Sequence, residues 1–335
     1  MPQCHGYSTD GLVYTPRGNS WSLRRGFDRA RHRISIRFAE LAGEPAFDGY
    51  RTDPEGAVLC EDQHVAQGCL SATDHGVLEG PGGEVIFLDR IDVAGAPIGY
   101  RASAPLQPGL AYGELEPGGM GRAFGPNGGL DAGLDNGLAE NTRIMTDRGE
   151  IPVRFLARGD RILTRDNGYQ PLRWLGRLSF SCLDLRRVAG VAPVWLGAHP
   201  IGPGRENRSL MISPGHRILV EGADVQLLFG EDEVLVEAAH LRGAGTEGHS
   251  IPLSNQSFTY HQLLFHRHQI VQANGVWVQS LFVPPPSCAG PKPSCALSPK
   301  GIYHARATRS CLTQEQAALL MTLRRRNTRG ARKLA

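Results

Sequence analysis

From residue 138 onwards the apolar positions of this chain arrive in short bursts divided by turn residues. Runs rich in aliphatic and β-branched side chains occur at Arg143–Thr146, Ile151–Phe155, Arg161–Thr164, Pro171–Leu175, Val194–Gly197, Leu210–Ile212, Arg217–Val220, Val225–Phe229 and Val234–Val236. Three more follow at Tyr260–Phe265, Gln269–Gln272 and Val276–Leu281. Gly149, Asp166-Asn167-Gly168, Glu221-Gly222 and Asn274-Gly275 stand between runs, where tight hairpins need residues that tolerate positive φ. Bursts this short, spaced by about ten residues, predict strands rather than helices. The expected fold class is therefore mainly β: a compact all-β domain over 138–283 with one short helical piece near Glu237–Leu241.

Upstream the pattern weakens. VIFLDRIDV at Val85–Val93 and the run Ile98–Ala102 predict two strands of a small β-rich region over 46–120. Asp89 and Asp92 lie on the first of these. Three positions apart on a strand they face opposite ways, which argues against a shared acid–base pair. Residues 121–137 are too glycine-rich to pack a core and predict a linker. Their GGLDAGLDNG, Gly128–Gly137, is at best one degenerate calcium-binding repeat, and one copy cannot build a stacked β-roll. The Gly-rich stretch lacks the Gly-Lys-Ser/Thr of a P-loop, and no apolar strand leads into it as a dinucleotide-binding turn requires.

The two ends read as polar extensions. Over 1–45, Arg17, Arg24, Arg25, Arg29, Arg31, Arg33 and Arg37 crowd around Asp28, which predicts a solvated, partly disordered arm. Over 284–335, a Pro-rich connector leads to LTQEQAALLMTLRRR, a predicted short amphipathic helix. Thr313 and Gln316 form its capping box, Leu319, Leu320 and Leu323 its buried stripe, and a basic tail follows.

Composition narrows the classes of function. A chain of 335 residues favours more than one domain, and its 42 glycines and 23 prolines suit many short strands joined by turns. The net charge of +3 is too small to argue for a nucleic-acid partner. No apolar run is long enough for a membrane span. The N-terminus lacks a Sec signal pattern, so the expectation is a cytoplasmic protein or one exported without that signal. Seven cysteines form no C-x-x-C pair and predict free thiols. His261, His266 and His268 are the only dense histidine group, and strand alternation divides them between faces. No cofactor or metal site is expected. Trp174 and Trp277, inside strand-like runs, are expected in the core.

Three blocks carry a family likeness. ENTRIMTDRGEIPVRFLARGDRILTRDNGYQPLRWLGR (140–177) resembles the opening of a bacterial Hint (hedgehog/intein) domain. LMISPGHRILVEG (210–222) resembles the block that carries the family's T-x-x-H histidine, and YHQLLFHRHQIVQANGVWVQSLF (260–282) its last block with an A-N-G turn. The resemblance implies chemistry in which a Cys or Ser at the domain's first position attacks the preceding carbonyl, while the histidine protonates the departing nitrogen. His216 takes the histidine position and Ser213 the Thr position of T-x-x-H. Aligning Thr142 with the family's G-T threonine puts Gly137 at the nucleophile position and Asn141 where glycine is common. After the A-N-G turn stands Gln279-Ser280, without the His-Asn that inteins need to finish splicing.

Two functions follow as expectations. The favoured one is a degenerate, non-splicing Hint module, structural or interactive, whose partner is an unidentified protein or the chain's own N-terminal region. The alternative is self-cleavage near Asn136-Gly137, assisted by His216. Asn before Gly can cyclise onto its own carbonyl, because glycine leaves the next amide unhindered.

Overall fold

The computed structural model describes residues 3–38, 53–60, 63–115, 136–180, 192–197, 208–241, 258–283 and 302–333. Most of the predicted linker and the Pro-rich connector lie outside these residues. The chain forms two compact units, one of Met1–Asp131, Arg177–Val191 and Pro252–Thr259, the other of Ala132–Gly176, Ala192–Ile251 and Tyr260–Ala335.

The first unit is strand-built from its start, with β1 (Gln3–Ser8), β2 (Leu12–Thr15), β3 (Ser20–Leu23), β4 (Arg33–Phe38) and β5 (Asp53–Cys60). It continues through β6 (Gln63–Glu79), β7 (Glu84–Val93), β8 (Ala96–Ala102) and β9 (Ala111–Leu115). The predicted solvated arm is thus corrected: β1 pairs with β4 and β8, and β3 pairs with β9. The arginines do face water, Arg24, Arg25, Arg29 and Arg31 all being exposed. The apolar positions on either side of them, Leu12, Leu23, Ile34 and Ile36, are buried. Their burial provides the core that the charge density conceals.

Asp89 and Asp92 on β7 are occupied structurally. Asp89 stands opposite Arg101 of β8 and pairs with it in the interior, while Asp92 pairs with Arg90 at 3.0 Å. A buried carboxylate needs such a partner.

The second unit opens with β10 (Leu138–Ala139), β11 (Arg143–Thr146), β12 (Gly149–Pro152), β13 (Arg161–Thr164) and β14 (Gly168–Pro171). β11–β12 and β13–β14 are paired hairpins whose turns differ by one residue. In each, the threonine ending the first strand donates its hydroxyl to the glycine carbonyl across the turn, Thr146 to Gly149 and Thr164 to Gly168, both at 2.7 Å. Both glycines have positive φ. Strand β15 (Trp174–Phe180) follows, and its end pairs parallel with β7 inside the first unit.

Next come β16 (Val194–Leu196), β17 (Leu210–Ile212), β18 (Arg217–Glu221), β19 (Glu233–Glu237) and β20 (Phe258–Leu264). The hairpin of β21 (Ile270–Ala273) and β22 (Val276–Gln279) turns at Asn274-Gly275, both with positive φ. β21 pairs with β11 and β13, and β22 with β18. This places the A-N-G hairpin between the opening block and the T-x-x-H block.

Two predicted strands become helical. Val225–Phe229 belongs to helix Ala223–Phe229, flanked by Gly222 and a left-handed Gly230. It buries Val225 and leaves Leu227 exposed, a helical rather than alternating pattern. The Ile151–Phe155 run breaks at Pro152 into a 3-10 turn, Val153–Phe155. The expected helical piece is a 3-10 turn at Ala238–Leu241.

Past the connector, β23 (Ser310–Cys311) lies parallel to β19 and leads into helix Gln314–Lys333. Its capping box forms: the Thr313 amide donates to Gln316 Oε1 at 2.9 Å, and the Gln316 amide to Thr313 Oγ1 at 3.4 Å. Ala317, Leu320 and Met321 join the domain core with Leu312. Leu319, expected in the stripe, is 54% exposed. The buried face is rotated by one position towards Ala317.

Candidate functional site

Strand β10 brings Asn136 and Gly137 beside Ser213. It pairs with β17 through Leu138–Ile212 and with β20 through Leu138–His261 and Ala139–Tyr260. Asn136 and Gly137, just ahead of β10, are therefore buried between these strands, and Asn136 is only 5% exposed. The expectation that the linker runs to residue 137 is corrected here.

Two hydrogen bonds hold the Asn136–Gly137 peptide, and a third holds the carbonyl of the next one. The Gly137 amide donates to Ser213 Oγ at 2.8 Å. The Ser213 amide donates back to the Gly137 carbonyl at 2.9 Å. Gln262 Nε2 donates to the Asn136 carbonyl at 2.6 Å. One peptide unit thus has its N–H held by a side chain of the turn after β17 and its C=O by one from β20.

Ser213-Pro214-Gly215-His216 forms the turn between β17 and β18, closed by the His216 amide on the Ser213 carbonyl at 3.1 Å. The His216 and Pro214 carbonyls accept from Ala238 and Ala239, both at 2.9 Å. The turn is thereby fixed on both sides. The His216 ring lies in the interior, and neither nitrogen completes a hydrogen bond of good geometry. Burial drives its pKa down to about 3, with the Gln279 backbone offsetting part of the effect.

No side chain fits at position 137. A Cβ there would fall within 2.9 Å of Tyr260 Cγ and closer still to Tyr260 Cβ, inside any normal contact distance. Tyr260 is fully buried, and burial pushes its hydroxyl well above the ordinary tyrosine range.

Tyr260 and Gln262 were invisible as site residues in the sequence. Their signal was positional only: two apart on a strand, they share a face. Asn141 sits apart, at the surface beside Arg154.

The remaining histidines do not converge. His266 is exposed while His261 and His268 are buried, and among the described residues no group of three or more His, Cys, Asp or Glu could hold a metal. Nor does any described helix have the length and apolarity to cross a membrane. Trp277 is half-buried against Leu219, Leu235 and Ile270, and Trp174 against Leu264 and Leu281.

An opening strand is thus pinned beside a Ser-x-x-His turn. The family profile described as Hint domain matches residues 136–284, and this stretch of the chain is a Hint domain. Among solved structures, a splice-inactive variant of the AceL NrdHF class 3 split intein is similar over 43% of this chain and 97% of its own. The two share 12% identity with a TM-score of 0.26, too slight a likeness to bear on mechanism. No curated protein matches.

Proposed function

We propose that the Hint domain holds its own incoming chain at Asn136–Gly137 without splicing it. It serves as a structural or interaction module for the region upstream. The observation that carries this reading is Tyr260 occupying the space in which a side chain at 137 would stand. Acyl transfer needs a nucleophile there, and Gly137 supplies none. The bonds from Ser213 and Gln262 then act as a clamp on a peptide that is retained.

A second reading, self-cleavage, is favoured by the same two bonds. The Asn136 amide nitrogen would attack its own main-chain carbonyl carbon, polarised by Gln262 Nε2. The bond to Gly137 would break, its nitrogen taking the proton lost by the amide and leaving a succinimide on Asn136. His216 is poorly suited to help: with a pKa of about 3, about one molecule in ten thousand carries the imidazolium at pH 7. Retention is therefore the stronger reading.

Intact-mass measurement of the purified chain at neutral pH, with and without excess thiol, separates these outcomes. A single full-length mass under both conditions is expected. Thiol-dependent release of a fragment starting at Gly137 would overturn retention in favour of acyl transfer. Thiol-independent release, with water loss on the upstream piece, would establish the second reading.

A further inference from the structure

The Hint match ends at residue 284, yet residues 302–333 are docked on that domain by two buried histidines. His304 makes a closed set of contacts. Its own amide donates to the Val283 carbonyl at 2.6 Å. Its Nδ1 accepts the Val283 amide at 3.1 Å, and its Nε2 faces the Phe265 carbonyl at 3.1 Å. A carbonyl can only accept, so Nε2 carries the hydrogen and Nδ1 the lone pair. His268 is held alike, from the other side of the joint. Its Nδ1 accepts the Thr308 amide at 3.1 Å and lies 3.2 Å from Thr308 Oγ1, while its Nε2 faces the Ser280 carbonyl at 3.2 Å. Both rings pack against Phe282, with centroids 6.0 Å from each other.

Each imidazole must be neutral for these contacts to exist. Protonating His304 points an N–H at the Val283 N–H, and that amide loses its acceptor. Protonating His268 does the same to the Thr308 amide. The Thr308 hydroxyl can rotate to accept, but the amide cannot. The facing charges oppose protonation further: His268 meets His304 and Arg217, and His304 meets His266. No carboxylate touches either ring among the bonds of the described residues.

We infer that residues 302–333 are an acid-released latch on the Hint domain, with His268 and His304 as its two keys. The other fastenings are ion pairs. Arg309 binds Asp166 and Glu233 at 2.7 and 2.6 Å, and Arg324 binds Asp224 at 2.6 Å. Glu233 lies below the usual carboxylate range, since Arg165 and Arg309 outweigh its burial, and Arg324 lowers Asp224 likewise.

Burial lowers His268 to about 4 and draws His304 below its ordinary value. A histidine depressed in the docked state and ordinary when released binds more protons on release. Docking is thus complete above about pH 6.5 and weakens as pH falls towards the docked value. For His268 alone, the drop to about 4 raises the release constant about 300-fold. Release would strip Leu312, Ala317, Leu320 and Met321 from the core cluster they share with the domain and uncover the β19 edge now paired with β23.

The test is amide hydrogen exchange of the full chain from pH 7 to pH 4, each rate divided by the intrinsic rate at that pH. Peptides over 302–323 should lose at least about a hundredfold protection, while those over the β11–β14 hairpins keep theirs. In the double variant His268→Asn, His304→Asn, a carboxamide oxygen accepts each amide and cannot titrate, so protection should stay flat. Equal protection of 302–323 at both pH values would overturn the latch, as would an unchanged fall in the double variant. If that variant does not fold, histidine NMR of the wild type decides. Titration of His304 should move with the Val283 amide signal, and titration that leaves this signal unchanged rejects the latch.

Discussion

The Hint domain treats buried histidines at its two ends in opposite ways. At the upstream end, the main chain of one peptide is held by Ser213 and Gln262, while the His216 ring is left without good hydrogen bonds. At the downstream end the rings themselves do the holding. His268 and His304 each satisfy one backbone N–H and one carbonyl. Burial depresses all three, so a low pKa alone does not separate them. What separates them is the number of protein groups that would be orphaned if the ring were removed. By that criterion His216 is a packed residue kept neutral, and the other two are joints.

The sharpest way to break this contrast is to truncate both kinds of ring. His304→Ala should cost about 2–5 kcal/mol, because it leaves the Val283 amide and the Phe265 carbonyl unpaired. His216→Ala removes only the Gln279 backbone contact beside its cavity and should cost less. Urea unfolding of both variants reads the difference, and equal losses would dissolve the distinction.

The upstream end is probed next. Gly137→Cys should destabilise by about 1–3 kcal/mol from overpacking against Tyr260. Despite its new thiol, the variant should give no thiol-dependent fragment by mass spectrometry. Fragmentation would mean that Tyr260 yields its place. The smallest effect is expected on the docked helix, where Leu319→Ala at an exposed position should shift stability by no more than about 0.5 kcal/mol. A loss near that of a core leucine would show that the helix packs on a different face.

Much of the fold was legible because the turns were. Gly149, Gly168 and Asn274-Gly275 have the positive φ their sequence positions suggested, and β11, β13 and β17 begin and end where the apolar runs do. Val225–Phe229 misled because a short apolar run cannot reveal its period, and the flanking Gly222 and Gly230 fit either reading. The N-terminal strands were hidden by the arginines clustered between β3 and β4, where Arg24, Arg25, Arg29 and Arg31 are exposed. At the site, Ser213 and His216 could be read from one turn, and Gly137 from its offset before Thr142. Tyr260 and Gln262 could not, because only the pairing of β10 with a strand far along the chain brings them to the peptide. His304 escaped for a similar reason: its partners Val283 and Phe265 lie across the Pro-rich connector.

The most direct test of the clamp is the hydrogen exchange of the Gly137 amide itself, read at neutral pH in wild type and in Ser213→Ala. Held by Ser213 Oγ, this amide should be as protected as its neighbours in β10. It should exchange roughly tenfold faster once the hydroxyl is removed, with the chain still intact by mass. A Gly137 amide that exchanges in wild type as fast as an open loop would contradict the clamp.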